Sequence, residues 1–144
     1  MVFNEDEKLE YKFVGRCPIE ELIDDYTKIS VLSTVENIQE THGSYKELLE
    51  DFFKFYKDYQ KYPVLYHMGH VVEVRFFRDA KEYGLIGDFE GAYLWYDTCM
   101  FFDDSVHSYV EKNNVKVDED YIPHNPIYDC LETYRAFRHF IEGT

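Results

Sequence analysis

The clearest hydrophobic rhythm in the chain lies between residues 44 and 63. Tyr45, Leu48, Leu49, Phe52, Phe53, Tyr56 and Tyr59 recur at three- and four-residue intervals and so line one side of a helix. Ser44 and Glu47 occupy the first and last positions of a capping box, Glu50 and Lys54 make an outward i,i+4 pair, and Pro63 stops the helix. A second firm pattern is Ile127, Leu131, Tyr134, Phe137 and Ile141. Asn125-Pro126 supplies its N-cap and first helical residue, and Gly143 lies past its end.

Between these two helices, residues 64–111 form two long amphipathic runs joined by Gly84-Leu85-Ile86-Gly87-Asp88. They predict an antiparallel helical hairpin carrying the largest share of the core. In the first arm, Leu65, Met68, Val72 and Phe76 have helical spacing and Gly84 suits a left-handed C′ position. Val72-Glu73-Val74-Arg75-Phe76 alternates like a strand, but about twenty residues without a turn signal are too long for one, so helix is preferred. The second arm takes Asp88 as its cap and Asn113-Asn114 as its end. Its buried face is Ala92, Tyr93, Tyr96, Cys99, Met100, Val106 and Val110.

At the start, residues 1–8 read as frayed. Leu9, Tyr11 and Phe13 then alternate with Glu10 and Lys12, which predicts a strand ending at Gly15. Val115-Lys116-Val117, inside a polar stretch at 113–125, is its candidate partner in a minor two-stranded ribbon. Pro18 opens a helix with Ile19, Leu22, Ile23 and Tyr26 on one side. This helix runs on through Ile29 and Leu32, or restarts at Ser33-Thr34-Val35-Glu36, and stops at Gly43. The sum is a mainly α fold: one domain over residues 1–144, a bundle of about five helices around the central hairpin.

Composition narrows the function classes. Hydrophobic residues at 45% and charged residues at 31% fall in the globular range, so disorder is not the default expectation. Against 15 basic residues stand 29 acidic ones, a net charge of −14 that repels phosphate backbones and anionic lipid. Direct nucleic-acid or membrane binding is therefore disfavoured, and a protein partner with a basic surface is expected. No apolar run approaches the roughly 20 residues of a membrane helix, and the acidic N-terminus has no secretory h-region. Cys17, Cys99 and Cys130, odd in number and without a C-x-x-C pair, suit a reducing cytoplasm.

Candidate chemistry is thin. Phosphate-binding loops, dinucleotide fingerprints, nucleophile elbows and H-E-x-x-H are all missing, which lowers the expectation of an enzyme. Glu20/Asp24 and Glu21/Asp25 form two i,i+4 pairs with carboxylates about 5–6 Å apart, near the spacing of successive phosphates. Asp118, Glu119 and Asp120 add a second acidic cluster, and Tyr59, Tyr62 and Tyr66 gather around Pro63 as aromatic contact residues. The expected function is a non-enzymatic acidic interaction module without a cofactor. Its type is an inhibitor or immunity/anti-defence protein, as phages and mobile elements encode, covering the nucleic-acid-binding surface of a partner.

The alternative is a metal-binding helical-bundle enzyme. His67 and His70 are three apart, Asp103 and His107 four apart, and the hairpin would face them across a zinc or iron ion. The paired Glu-x-x-His motifs of di-iron bundles do not occur. A simpler reading joins Asp103 to His107 by a hydrogen bond and leaves His67 and His70 partly exposed. Cys99 is expected as a buried, inert thiol, and His42, His124 and His139 as surface residues.

Overall fold

The computed structural model describes the chain except residues 20–22, 69, 70, 89, 91–94, 104, 118–121 and 144. Its described elements run β1 (Val2–Phe3), β2 (Leu9–Tyr11), α1 (Asp25–Ser30), α2 (Tyr45–Tyr59), β3 (Val64–Tyr66), α3 (Glu73–Glu82), β4 (Trp95–Asp97), α4 (Val106–Asn113) and α5 (Pro126–Glu142). Short 3-10 turns stand at Leu32–Val35 and Thr98–Met100. The fold is mainly α, and no helix among the described residues is long and apolar enough to cross a membrane.

The larger core lies on α2. Ser44 Oγ accepts from the Glu47 amide, while the Glu47 carboxylate accepts from the Gly43 amide at 2.8 Å, so orphan donors at the helix start are satisfied. Leu49, Phe53 and Tyr56 are then buried against Ala80 of α3 and Ile86. Rings meet edge to face: Phe53 and Tyr56 lie 5.2 and 5.4 Å from Phe77, nearly perpendicular to it. A second core joins α4 to α5 through Phe102, Val106 and Ala136. Asn125 caps α5 by accepting from the Ile127 amide, and its side-chain amide donates to the Thr34 carbonyl at 2.7 Å. That bond ties the start of α5 to the first 3-10 turn.

The hairpin expected over 64–111 is where the structure departs most from the pattern. Val64–Tyr66 leaves Pro63 as a strand rather than a helix, and Trp95–Asp97 pairs with it in parallel: Val64 with Trp95, Leu65 with Tyr96, Tyr66 with Asp97. Helix α3 is the crossover between them, making a β-α-β unit. The Trp95 ring packs between Tyr66 at 4.9 Å and Phe77 at 5.0 Å. That aromatic contact is available only if both segments are extended. Met68, in the left-handed region at φ 56°, then turns the chain away, so helical spacing from Leu65 to Val72 is a coincidence of composition.

The second arm is likewise divided. Cys99 and Met100 are exposed residues of the 3-10 turn after β4, not members of a buried helix face; Met100 is 80% exposed. Ala92 and Tyr93 lie outside the described residues. The ends of the arms are as expected: Gly84 at φ 69° follows α3, and Asn114 at φ 51° closes α4.

Near the start of the chain, β2 is a real strand, but its partner is β1 and not 115–117. Residues 1–8 are anchored rather than frayed. Phe3 stacks on Tyr134 of α5 with ring centroids 3.8 Å apart, and Glu7 pairs with Arg138 and Arg135 of the same helix. Helix α1 starts only at Asp25, because Asp24 takes an extended backbone and accepts from the Thr27 amide at 2.8 Å. Beyond the first 3-10 turn no helix continues to Gly43.

Candidate functional site

Half of the acidic strip expected along one helix, Glu20 and Glu21, falls outside the described residues. Asp24, at φ −70° and ψ 164°, is the N-cap of α1. Asp24 and Asp25 are both exposed at the helix start, the latter 3.5 Å from Lys28. Backbone and hydroxyl hydrogen bonds from Thr27 hold the Asp24 carboxyl below its usual range. Glu20, Glu21, Asp118, Glu119 and Asp120 lie outside the described residues.

Two of the three expected tyrosines do sit together. Tyr59 lies 6.4 Å from Tyr62 and 5.4 Å from Tyr11, so the rings form a row across the end of α2 and strand β2. Tyr11 is 53% exposed, Tyr62 50% and neighbouring Leu9 46%. Burial, together with the charges of Asp58 and Glu10 and the adjoining phenols, pushes the Tyr59 pKa up. Lys61 places its ammonium 5.3 Å over the Tyr62 ring. Tyr66 belongs elsewhere, edge-on to Trp95. Tyr11 was hidden from sequence reasoning because only the folded ribbon brings residue 11 to residue 59.

The four metal-candidate residues do not gather into one site among the described residues. His107 turns Nδ1 to Glu132 of α5 at 3.1 Å and Nε2 to Glu111 at 3.3 Å. Asp103 is exposed and precedes α4, whose cap is Ser105, so it does not share a helix face with His107. His70 lies outside the described residues.

His67, in contrast, finds partners that the sequence did not suggest. It follows the last residue of β3, beside Thr98, which follows the last residue of β4. Thr98 is fully buried; its hydroxyl donates to the Tyr66 carbonyl at 3.1 Å and lies 3.0 Å from His67 Nδ1. Asp97 Oδ1 accepts from the Cys99 amide at 3.0 Å and the Met68 amide at 3.3 Å. Cys99 Sγ lies 3.5 Å from His67 Nδ1. One donor atom each from His67, Asp97 and Cys99 lies within 4.8 Å of the other two.

Electrostatics at this strand end are uneven. Burial works against ionisation of Asp97, yet hydrogen bonds from Cys99 and the Met68 amide hold its carboxyl below the usual range. The Cys99 thiol is pushed up by burial and by Asp97. Glu73, the first residue of α3, is raised by burial and by the charge of Asp97, and its Oε2 has no hydrogen-bond partner among the described residues. The carboxyl ends of parallel strands, facing the start of a crossover helix, are where α/β units take ligands. The one sequence signal for this cluster was the short Trp95-Tyr96-Asp97 alternation before Thr98, which a window of helical length averages away.

No family model, curated protein or solved structure matches the chain. The geometry of its own side chains carries the functional reading.

Proposed function

We propose that the protein is a non-enzymatic interaction module that covers a basic surface of a partner protein, in the manner of an inhibitor of a nucleic-acid-binding protein. The observation that carries this reading is the row in which exposed Tyr11 and Tyr62 flank the partly buried Tyr59, bordered by Glu10 and Asp58, on a chain of net charge −14. Tyrosine rings give large contact area at low conformational cost and stack on guanidinium groups. Carboxylates around them select a cationic counterpart and repel nucleic acid itself. The supported partner chemistry is thus an arginine-rich protein patch.

Two kinds of substitution separate the contributions. With a partner captured on the immobilised protein and then purified, association is followed by surface plasmon resonance at two salt concentrations. Glu10→Lys combined with Asp58→Lys is expected to slow association about tenfold at low salt and to leave dissociation nearly unchanged. Tyr62→Ala with Tyr11→Ala is expected to speed dissociation by tenfold or more, as loss of buried aromatic anchors does. Association indifferent to salt and to both pairs of changes would reject the proposal. An oligonucleotide that binds the same partner should compete with the protein.

A further inference from the structure

We propose that His67, Asp97 and Cys99 form a site for a divalent transition-metal ion, and that zinc is the ion their donor set fits. The site is a consequence of strand register. Because Tyr66 pairs with Asp97, the residues next along each strand emerge side by side, and the 3-10 turn after β4 brings Cys99 back over His67. Donors from two segments some thirty residues apart in sequence are thereby placed at one edge by backbone pairing rather than by long flexible side chains.

The distances suit a metal. Zinc bonds of about 2.3 Å to sulfur and about 2.0–2.1 Å to nitrogen, at a tetrahedral angle, set the two donors roughly 3.5–3.6 Å apart. Cys99 Sγ and His67 Nδ1 are 3.5 Å apart. Nδ1 also lies 3.0 Å from the Thr98 hydroxyl, which gives its own hydrogen to the Tyr66 carbonyl. In the metal-free site Nδ1–H therefore donates to Thr98 Oγ1, and an ion at Nδ1 takes the place of that proton, as metals do at imidazole and thiol donors.

The donor types choose among cations. A thiolate, an imidazole and a carboxylate together disfavour magnesium and calcium, which take oxygen ligands, and favour zinc. Charge points the same way. Glu73 keeps a buried carboxyl oxygen without a hydrogen-bond partner among the described residues. With Asp97 it adds negative character to this strand end, which a divalent cation would offset. Three protein ligands leave a fourth position for water or for a group from another molecule.

The test uses the full chain, purified without a histidine tag and titrated with cobalt(II), which reports thiolate coordination by colour. One equivalent of cobalt is expected to give a thiolate-to-metal charge-transfer band together with the visible bands of a tetrahedral site, and one equivalent of zinc to abolish both. Cys99→Ser removes the charge-transfer band, whereas Cys17→Ser and Cys130→Ser keep it. Asp97→Asn retains an acceptor for the Cys99 and Met68 amides, so it preserves the turn, and it is expected to weaken cobalt binding tenfold or more. Circular dichroism of each variant verifies the fold. No charge-transfer band at millimolar cobalt, a band that survives Cys99→Ser, or unchanged affinity in Asp97→Asn would each overturn the proposal.

Discussion

Arg16 donates from Nη1 to the carbonyls of Val35 and Ile38 at 2.9 and 2.8 Å, while its own carbonyl accepts from the Thr41 and His42 amides. One side chain thus holds the irregular stretch between the first 3-10 turn and α2. Arg16→Met leaves those carbonyls without a charged donor and is expected to cost roughly 1.5–3 kcal/mol in a urea unfolding curve. Asp129, half-buried at the start of α5, shows a cost of the opposite kind. Burial and the neighbouring Glu132 raise its pKa, although His124 and His107 oppose the rise. The folded chain therefore binds its proton more tightly than the unfolded one. Stability from this group is greatest below the ordinary carboxyl value and falls as pH rises through the raised one. Asp129→Asn is expected to flatten that fall above the ordinary carboxyl range, read as unfolding free energy against pH. Single residues with a local role were legible: Ser44, Gly84, Asn114 and Asn125 all act as caps or turn residues at or next to themselves. Asp97 was not, because its acceptor role depends on Met68, 29 positions away.

At the scale of elements, α2 and α5 were legible because their apolar stripes, caps and stops all agree. Phe53, on the stripe of α2, is 2% exposed and packs on both Tyr56 and Phe77. Phe53→Ala is expected to cost about 3–5 kcal/mol by chemical denaturation, among the largest effects in the chain. Ser44→Ala, which removes only a cap, should cost about 0.5–2 kcal/mol in the same measurement. Strands β3 and β4 escaped notice for a physical reason. Each has three residues, too few for a period to declare itself, and each is stabilised by a partner distant in sequence. Residues 1–8 misled for the same reason, since Phe3 and Glu7 are held by Tyr134, Arg135 and Arg138 at the other end of the chain.

For the whole molecule, charge was the most legible property and the candidate cluster the least. Net charge is a sum over residues and needs no fold, whereas His67, Asp97 and Cys99 meet only through a register that no local pattern encodes. With 14 uncompensated negative charges, self-repulsion opposes the compact state. Raising salt from about 10 mM to about 150 mM shortens the screening length from roughly 30 Å to roughly 8 Å, so the melting temperature should rise across that interval. Calorimetry at fixed pH measures it, and a flat or falling Tm would mean that local ion pairs outweigh the overall field.

Parallel strands cannot be closed by a tight turn. His67 and Thr98 lie 31 positions apart, and the chain between them must be threaded through α3 before either strand has anything to bond. Loop-closure entropy is lost in full before any pairing offsets it, so this edge assembles late in folding. During synthesis β3 is made before either α3 or β4, so Val64–Tyr66 has no strand to pair with until Trp95–Asp97 has followed it.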